Sequence, residues 1–162
     1  MVMMIEKMSW RLNQAVEWLL FVLGAGMAAI VAAQVFSRYV LNHSLFWSEE
    51  LARFLLVWLT FLGAGVAYRR RAHASVDLLY QHLPAAGRRL ASLATHVCTL
   101  FFAGIMVVYG YKFAYFVRLQ ISPALFLPKW IPHSIVCIAG VIIAVHALAF
   151  FFRDLQKQGG LP

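Results

Sequence analysis

Residues 46–71 read FWSEELARFLLVWLTFLGAGVAYRRR. Arg53 and Arg69 bound the apolar part of this stretch, with 15 residues between them. At 1.5 Å per residue that is roughly 22 Å of helix, too short for the ~30 Å hydrocarbon core of a bilayer. A crossing helix must therefore reach back through Trp47, which carries Glu49, Glu50 and Arg53 into the membrane edge. Glu49 and Arg53 stand i, i+4, and Glu50 and Arg53 stand i, i+3, so one arginine can neutralise one acid. The second acid needs another partner, because a bare carboxylate costs about 3 kcal/mol at the bilayer centre and less at its edge. Either the cluster snorkels into the headgroups, or it faces a cation on a partner chain. Trp47 and Trp58 suit both readings, since tryptophan favours membrane interfaces.

Three further apolar runs flank this one. The chain of 162 residues is 63% hydrophobic and only 12% charged, about half the charge of an ordinary soluble domain. Spans are expected at about 15–36, 46–68, 90–117 and 131–152, each near the ~20 residues a crossing helix needs. Helices are the expected form, because a lipid-exposed strand edge leaves backbone groups unpaired. The expectation is a single all-α integral membrane domain of four transmembrane helices. Lys7 and Arg11 precede an apolar run longer than a signal-peptide core, so this segment reads as an uncleaved first span.

Cation counting orients the chain. Lys7, Arg11, Arg69, Arg70, Arg71, Arg88, Arg89, Arg153 and Lys157 make nine on one side. Arg38, Arg53, Arg118 and Lys129 make four on the other. The positive-inside rule then puts both termini and the loop at 69–89 in the cytoplasm. The net charge of +8 reads as this retention signal and not as a nucleic-acid surface. Ala72, Val76, Leu79 and Leu83 form one helical stripe, which predicts a short amphipathic helix on the cytoplasmic membrane face. The outer loop from Ser122 to Pro132 holds Pro123, Pro128 and Pro132 among Leu125, Phe126, Leu127 and Trp130, and reads as rigid and apolar.

Small residues repeat at helical spacing as Gly24, Ala28 and Ala32, and again as Gly63 and Ala67, allowing close helix approach within the chain or to a neighbour. Arg69 and His73, and His73 and Asp77, are i, i+4 pairs that form either a solvated network or a docking surface. Cys98 and Cys137 lie inside apolar runs and read as packing residues. The sequence carries no CxxC pair, HExxH, phosphate-binding loop or nucleophile elbow, so no catalytic constellation is expected. An alternative is a b-type cytochrome anchor. His96 and His146 each lie six residues from the cytoplasmic end of their spans, at matching depth, as two axial haem ligands would.

The runs Trp47-Ser48-Glu49-Glu50-Leu51-Ala52-Arg53 and Val57-Trp58-Leu59-Thr60-Phe61-Leu62-Gly63-Ala64, followed by Arg69, His73 and Val76-Asp77-Leu78-Leu79, resemble the small membrane subunit, DctQ-type, of tripartite ATP-independent periplasmic (TRAP) transporters. So do Arg38 with Asn42, and Ser122-Pro123-Ala124-Leu125 with Pro128, Trp130 and Pro132. His133 stands where a tyrosine is expected and Val136 where a second proline is usual. The resemblance implies a bacterial inner-membrane scaffold that braces a large DctM-type elevator subunit. That subunit takes up an organic anion, a carboxylate, delivered by a periplasmic substrate-binding protein. Sodium drives the uptake and binds the large subunit, and no cofactor is expected on this chain. It further implies that Trp47, Glu49, Glu50, Arg53, Trp58, Arg69, His73 and Asp77 contact the large subunit. Ser122, Pro123, Leu125, Lys129 and Trp130 would form a docking loop for the binding protein.

Overall fold

In the computed structural model, which describes residues 2–70 and 84–156, the chain is all helix apart from its connections. The long elements are α1 (Val2–Tyr39), α2 (Phe46–Arg69), α3 (Ala85–Phe116) and α5 (Ile135–Gln156), with the one-turn α4 (Trp130–His133) leading into α5. All four long helices have the length and apolar composition to cross a bilayer. The amphipathic helix expected over 72–83 lies outside the described residues, as do His73 and Asp77. Because the helices alternate in direction, residues 2, 70, 84 and 156 gather at one end, here the basal end. The 40–45 and 117–129 connections make the apical end.

Local chemistry ends each helix where the apolar run stops. Past α1, Asn42 adopts a left-handed φ of 50°, which an asparagine tolerates better than most residues. The turn closes as Ser37 Oγ donates to the His43 carbonyl at 2.6 Å and His43 N donates to Ser37 O at 3.0 Å. Pro84, with ψ 159°, stands immediately before α3, where its missing N–H costs nothing. Within the spans, Thr60, Thr95 and Thr99 donate their hydroxyls to carbonyls one turn back, each at 2.8 Å. No polar hydrogen of these side chains is left to face lipid.

α1 begins well before its apolar run. It has 38 residues, about 57 Å of helix, and its polar first turns pack against the basal end of α5. Helix α5 is the central element. Half of its membrane window is buried, against 0% for α1. On one side Val16, Leu62, Val66, Ile135 and Ile142 join α1, α2 and α5. On the other, Ala103, Met106, Ala139 and Ile143 join α3 to α5. Near the basal end Tyr68, Ala147 and Phe150 close a third cluster.

The tight helix contact is not at the small residues singled out on α1 and α2. A Cβ added to Gly24 would meet Leu59 at an ordinary 3.9 Å, and one on Gly63 would meet no described atom within 4 Å. Ala28 and Ala32 are exposed. The close approach is between α3 and α5. A Cβ on Gly110 would lie 2.9 Å from the Cys137 nitrogen, and one on Gly140 would lie 3.0 Å from Met106 Cβ. Small-residue spacing recurs in any membrane helix, and which face is used depends on how each helix is rotated.

Gly110→Ala is expected to lower stability by about 1–3 kcal/mol, because backbone cannot yield as a side chain can. Gly63→Ala should be neutral or better. Thermal unfolding of the two variants in the same detergent compares them, and equal midpoints would refute the α3–α5 contact.

Candidate functional site: the apical and basal rims

Glu50 lies in the first turns of α2, yet it is 8% exposed. One carboxylate oxygen, Oε2, accepts the main-chain N–H groups of Ala124 at 2.8 Å and Leu125 at 3.0 Å. The loop it grips is itself tied. Ser122 N donates to Leu127 O at 2.9 Å, Leu127 N donates to Ser122 Oγ at 3.2 Å, and Lys129 N donates to Gln120 O at 2.8 Å. Lys129 Nζ adds a bond to Gln120 Oε1 at 3.2 Å. Charge-assisted bonds of this kind offset the desolvation of a buried carboxylate. The acid that the sequence left in need of a partner is therefore satisfied inside the chain.

Arg53 pairs with neither acid among the described residues. Its Nε lies 3.4 Å from the Glu49 main-chain oxygen, and the side chain is exposed. The Glu49 carboxylate instead accepts Gln34 Nε2 of α1 at 3.1 Å. The expected i, i+3 and i, i+4 ion pairs are replaced for a physical reason: an exposed pair is worth about 0–1 kcal/mol, less than the two main-chain bonds that Glu50 makes. Trp58 also turns inward, donating Nε1 to Pro132 O at 3.2 Å. Trp47, Glu49 and Arg53 remain on the exposed side of α2.

In the apical loop Ser122 is buried, Leu125 and Lys129 are half-buried, and Pro123 and Trp130 are exposed. The residue at its tip is outside the docking set expected from the sequence. Phe126 is 77% exposed and adopts φ 54°, a left-handed conformation that costs an L-residue with a Cβ about 1–2 kcal/mol. No motif announces it, since a phenylalanine among prolines and leucines reads as one more apolar residue.

The basal rim joins all four long helices through polar contacts. Tyr68 Oη and His96 Nδ1 are 2.7 Å apart, and Ser92 Oγ donates to Asp154 Oδ2 at 2.6 Å. His96 Nε2 lies 3.4 Å from both Asp154 Oδ2 and Ser92 Oγ. Arg153 reaches Glu6 at 3.6 Å, and Arg70 reaches Glu17 at 2.8 Å, while Glu17 also accepts Asn13 Nδ2 at 2.8 Å. The guanidinium of Arg69 stands 4.9 Å from the Phe150 ring centroid, and that of Arg153 4.7 Å, within cation–π range. Arg69 is thus half-buried against its own chain.

The two histidines weighed above as haem ligands both sit in this network. Both ring nitrogens of His96 face hydrogen-bonding groups. His146 is fully buried with Nδ1 2.8 Å from Ser9 Oγ, which leaves only Nε2 without a hydrogen bond among the described residues.

Residues 27–157 match the family model of the DctQ component of tripartite ATP-independent periplasmic transporters. The chain belongs to the DctQ family. Similar proteins include the ectoine TRAP transporter small permease TeaB of Halomonas elongata, 30% identical over 82% of this chain and 69% of that protein. The sialic acid TRAP transporter small permease SiaQ of Vibrio cholerae is 30% identical over 64% of this chain and 60% of its own length. The isethionate TRAP transporter permease DctMQ of Oleidesulfovibrio alaskensis is 29% identical over 83% of this chain, but the match spans only 22% of that protein. This DctQ-family chain is thus a small permease subunit of a TRAP transporter, an inner-membrane protein and not an enzyme.

Tyr68→Phe should destabilise the protein by about 1–3 kcal/mol, since it leaves a buried His96 nitrogen without its partner. The purified protein should show no Soret absorption. Unchanged unfolding on loss of the Tyr68 hydroxyl would mean that the basal network holds nothing together.

Proposed function

We propose that this small subunit is a static brace for a large DctM-type permease subunit, which it meets along the exposed side of α1 and α2. The observation that carries the reading is Arg53. It is exposed at the apical rim without a carboxylate partner among the described residues, beside Trp47 and Glu49. A guanidinium at that level gains from an acid or a carbonyl on a neighbouring helix. Below it Thr60 and Ala64 are exposed on α2, as are Ala28 and Ala32 on α1, and small residues let a second protein's helices come close. DctMQ adds support: a segment similar to this chain is there part of a permease most of which lies outside the match.

The basal end, with its excess of cations, faces the cytoplasm, and the apical loop with Ser122, Pro123, Leu125, Lys129 and Trp130 faces a periplasmic substrate-binding protein. Glu50 and Trp58 act from inside the chain by shaping this surface, and Arg69, His73 and Asp77 are assigned to contact with the large subunit near the cytoplasm. The cargo is an organic acid, in line with relatives named for sialic acid and C4-dicarboxylate. A sodium gradient drives its uptake, and sodium binds the large subunit and not this chain.

Arg53→Glu is expected to cut recovery of the large subunit in mild-detergent affinity purification about fivefold or more, the scale of losing one interhelical polar contact. Trp47→Ala should act in the same direction. Full recovery with both variants, and normal uptake in cells, would place the interface elsewhere.

A further inference from the structure

The apical loop is held rigid by an acid that the loop does not contain. Glu50, on α2, clamps the Ala124 and Leu125 amides from 74 and 75 residues away in sequence, and the bridge between Ile121 and Pro128 closes the loop's base. The next residue, Phe126, is forced into a left-handed conformation with its ring outward. We infer that Phe126 is the anchor by which this subunit engages the periplasmic binding protein, and that Glu50 is the positioning residue that presents it. This rests on the reading of the chain as a transporter subunit and adds to it the residue that makes the contact and the one that aims it.

Two features favour a folded protein over lipid as the occupant. A bilayer accepts an apolar ring in any conformation, so nothing is gained there by fixing the backbone in a strained one. A protein pocket rewards a ring that is already aimed, because ordering is paid before binding, and central aromatic side chains are the usual energetic anchors of such contacts. The surroundings give the partner's chemistry. Arg38, Arg53, Arg118 and Lys129 lie at the apical end, Glu50 is consumed by the loop, and Glu49 is bonded to Gln34. The complementary surface is an apolar pocket with an acidic rim, which would also speed encounter at low salt.

The test uses the intact complex of this chain with its large subunit in lipid nanodiscs, titrated with the substrate-loaded binding protein of the same transporter. Phe126→Gly removes the ring and relieves the backbone, since glycine accepts a positive φ. It should lower affinity about tenfold or more while the large subunit stays bound. Glu50→Ala should lower affinity comparably and speed hydrogen exchange at the Ala124 and Leu125 amides. Glu50→Gln, whose amide oxygen can still accept both N–H groups, should keep most of both. Unchanged affinity in Phe126→Gly overturns the inference, and so does release of the large subunit by that variant. Failure of the unsubstituted chain to hold the large subunit would instead refute the underlying reading.

Discussion

A polar group at the margin of hydrocarbon must find its partner within protein, and this constraint organises both ends of the molecule. At the apical rim it draws the Glu50 carboxylate onto two main-chain amides, so that an irregular, proline-rich connection is built as firmly as a helix end. At the basal rim it assembles Tyr68, Ser92, His96 and Asp154 across α2, α3 and α5. α3 meets the rest of the molecule chiefly along α5, and the basal contacts add a second attachment for it. Bonds of this kind are costly to leave unmade, so they fix helix rotation more sharply than apolar packing does.

Between the rims, van der Waals contact takes over. Lipid tails are as apolar as leucine, so burial alone gives little reason for two helices to associate, and close backbone approach must supply it. Gly110 and Gly140 permit that approach between α3 and α5. The outer faces of α1 and α3 keep large apolar side chains such as Trp18, Phe21, Phe101 and Phe102 turned outward. A small subunit with one half-buried helix and three largely exposed ones is suited to stand between lipid and a larger neighbour.

Much of the fold was legible because transfer into a membrane is a property of each segment taken alone. The four apolar runs, their bounding arginines and the helical form follow from counting residues against bilayer thickness. The candidate interface was half legible. Glu49, Arg53 and Trp47 are exposed where the sequence put them at the rim, but Glu50 and Trp58, their neighbours by every sequence criterion, point into the protein. Adjacent residues on a helix differ by about 100° in direction, and no periodicity shows which of two neighbouring acids will face a loop not yet placed. Phe126 was invisible for a related reason: its significance lies in a dihedral angle imposed from another helix.

Helical form, residence in a membrane, the number of crossings and, through the span-two pattern, the transporter family are all written in the amino-acid sequence. Those are consequences of local apolar length, charge placement and motif. The assembled helices settle which acid is consumed internally, which glycines carry the helix contact, what His96 bonds to, and where an aromatic ring is held out under strain. Each of those depends on the relative rotation of helices that meet across long sequence separations, and that rotation is set by the sum of all contacts at once and by no single stretch of chain.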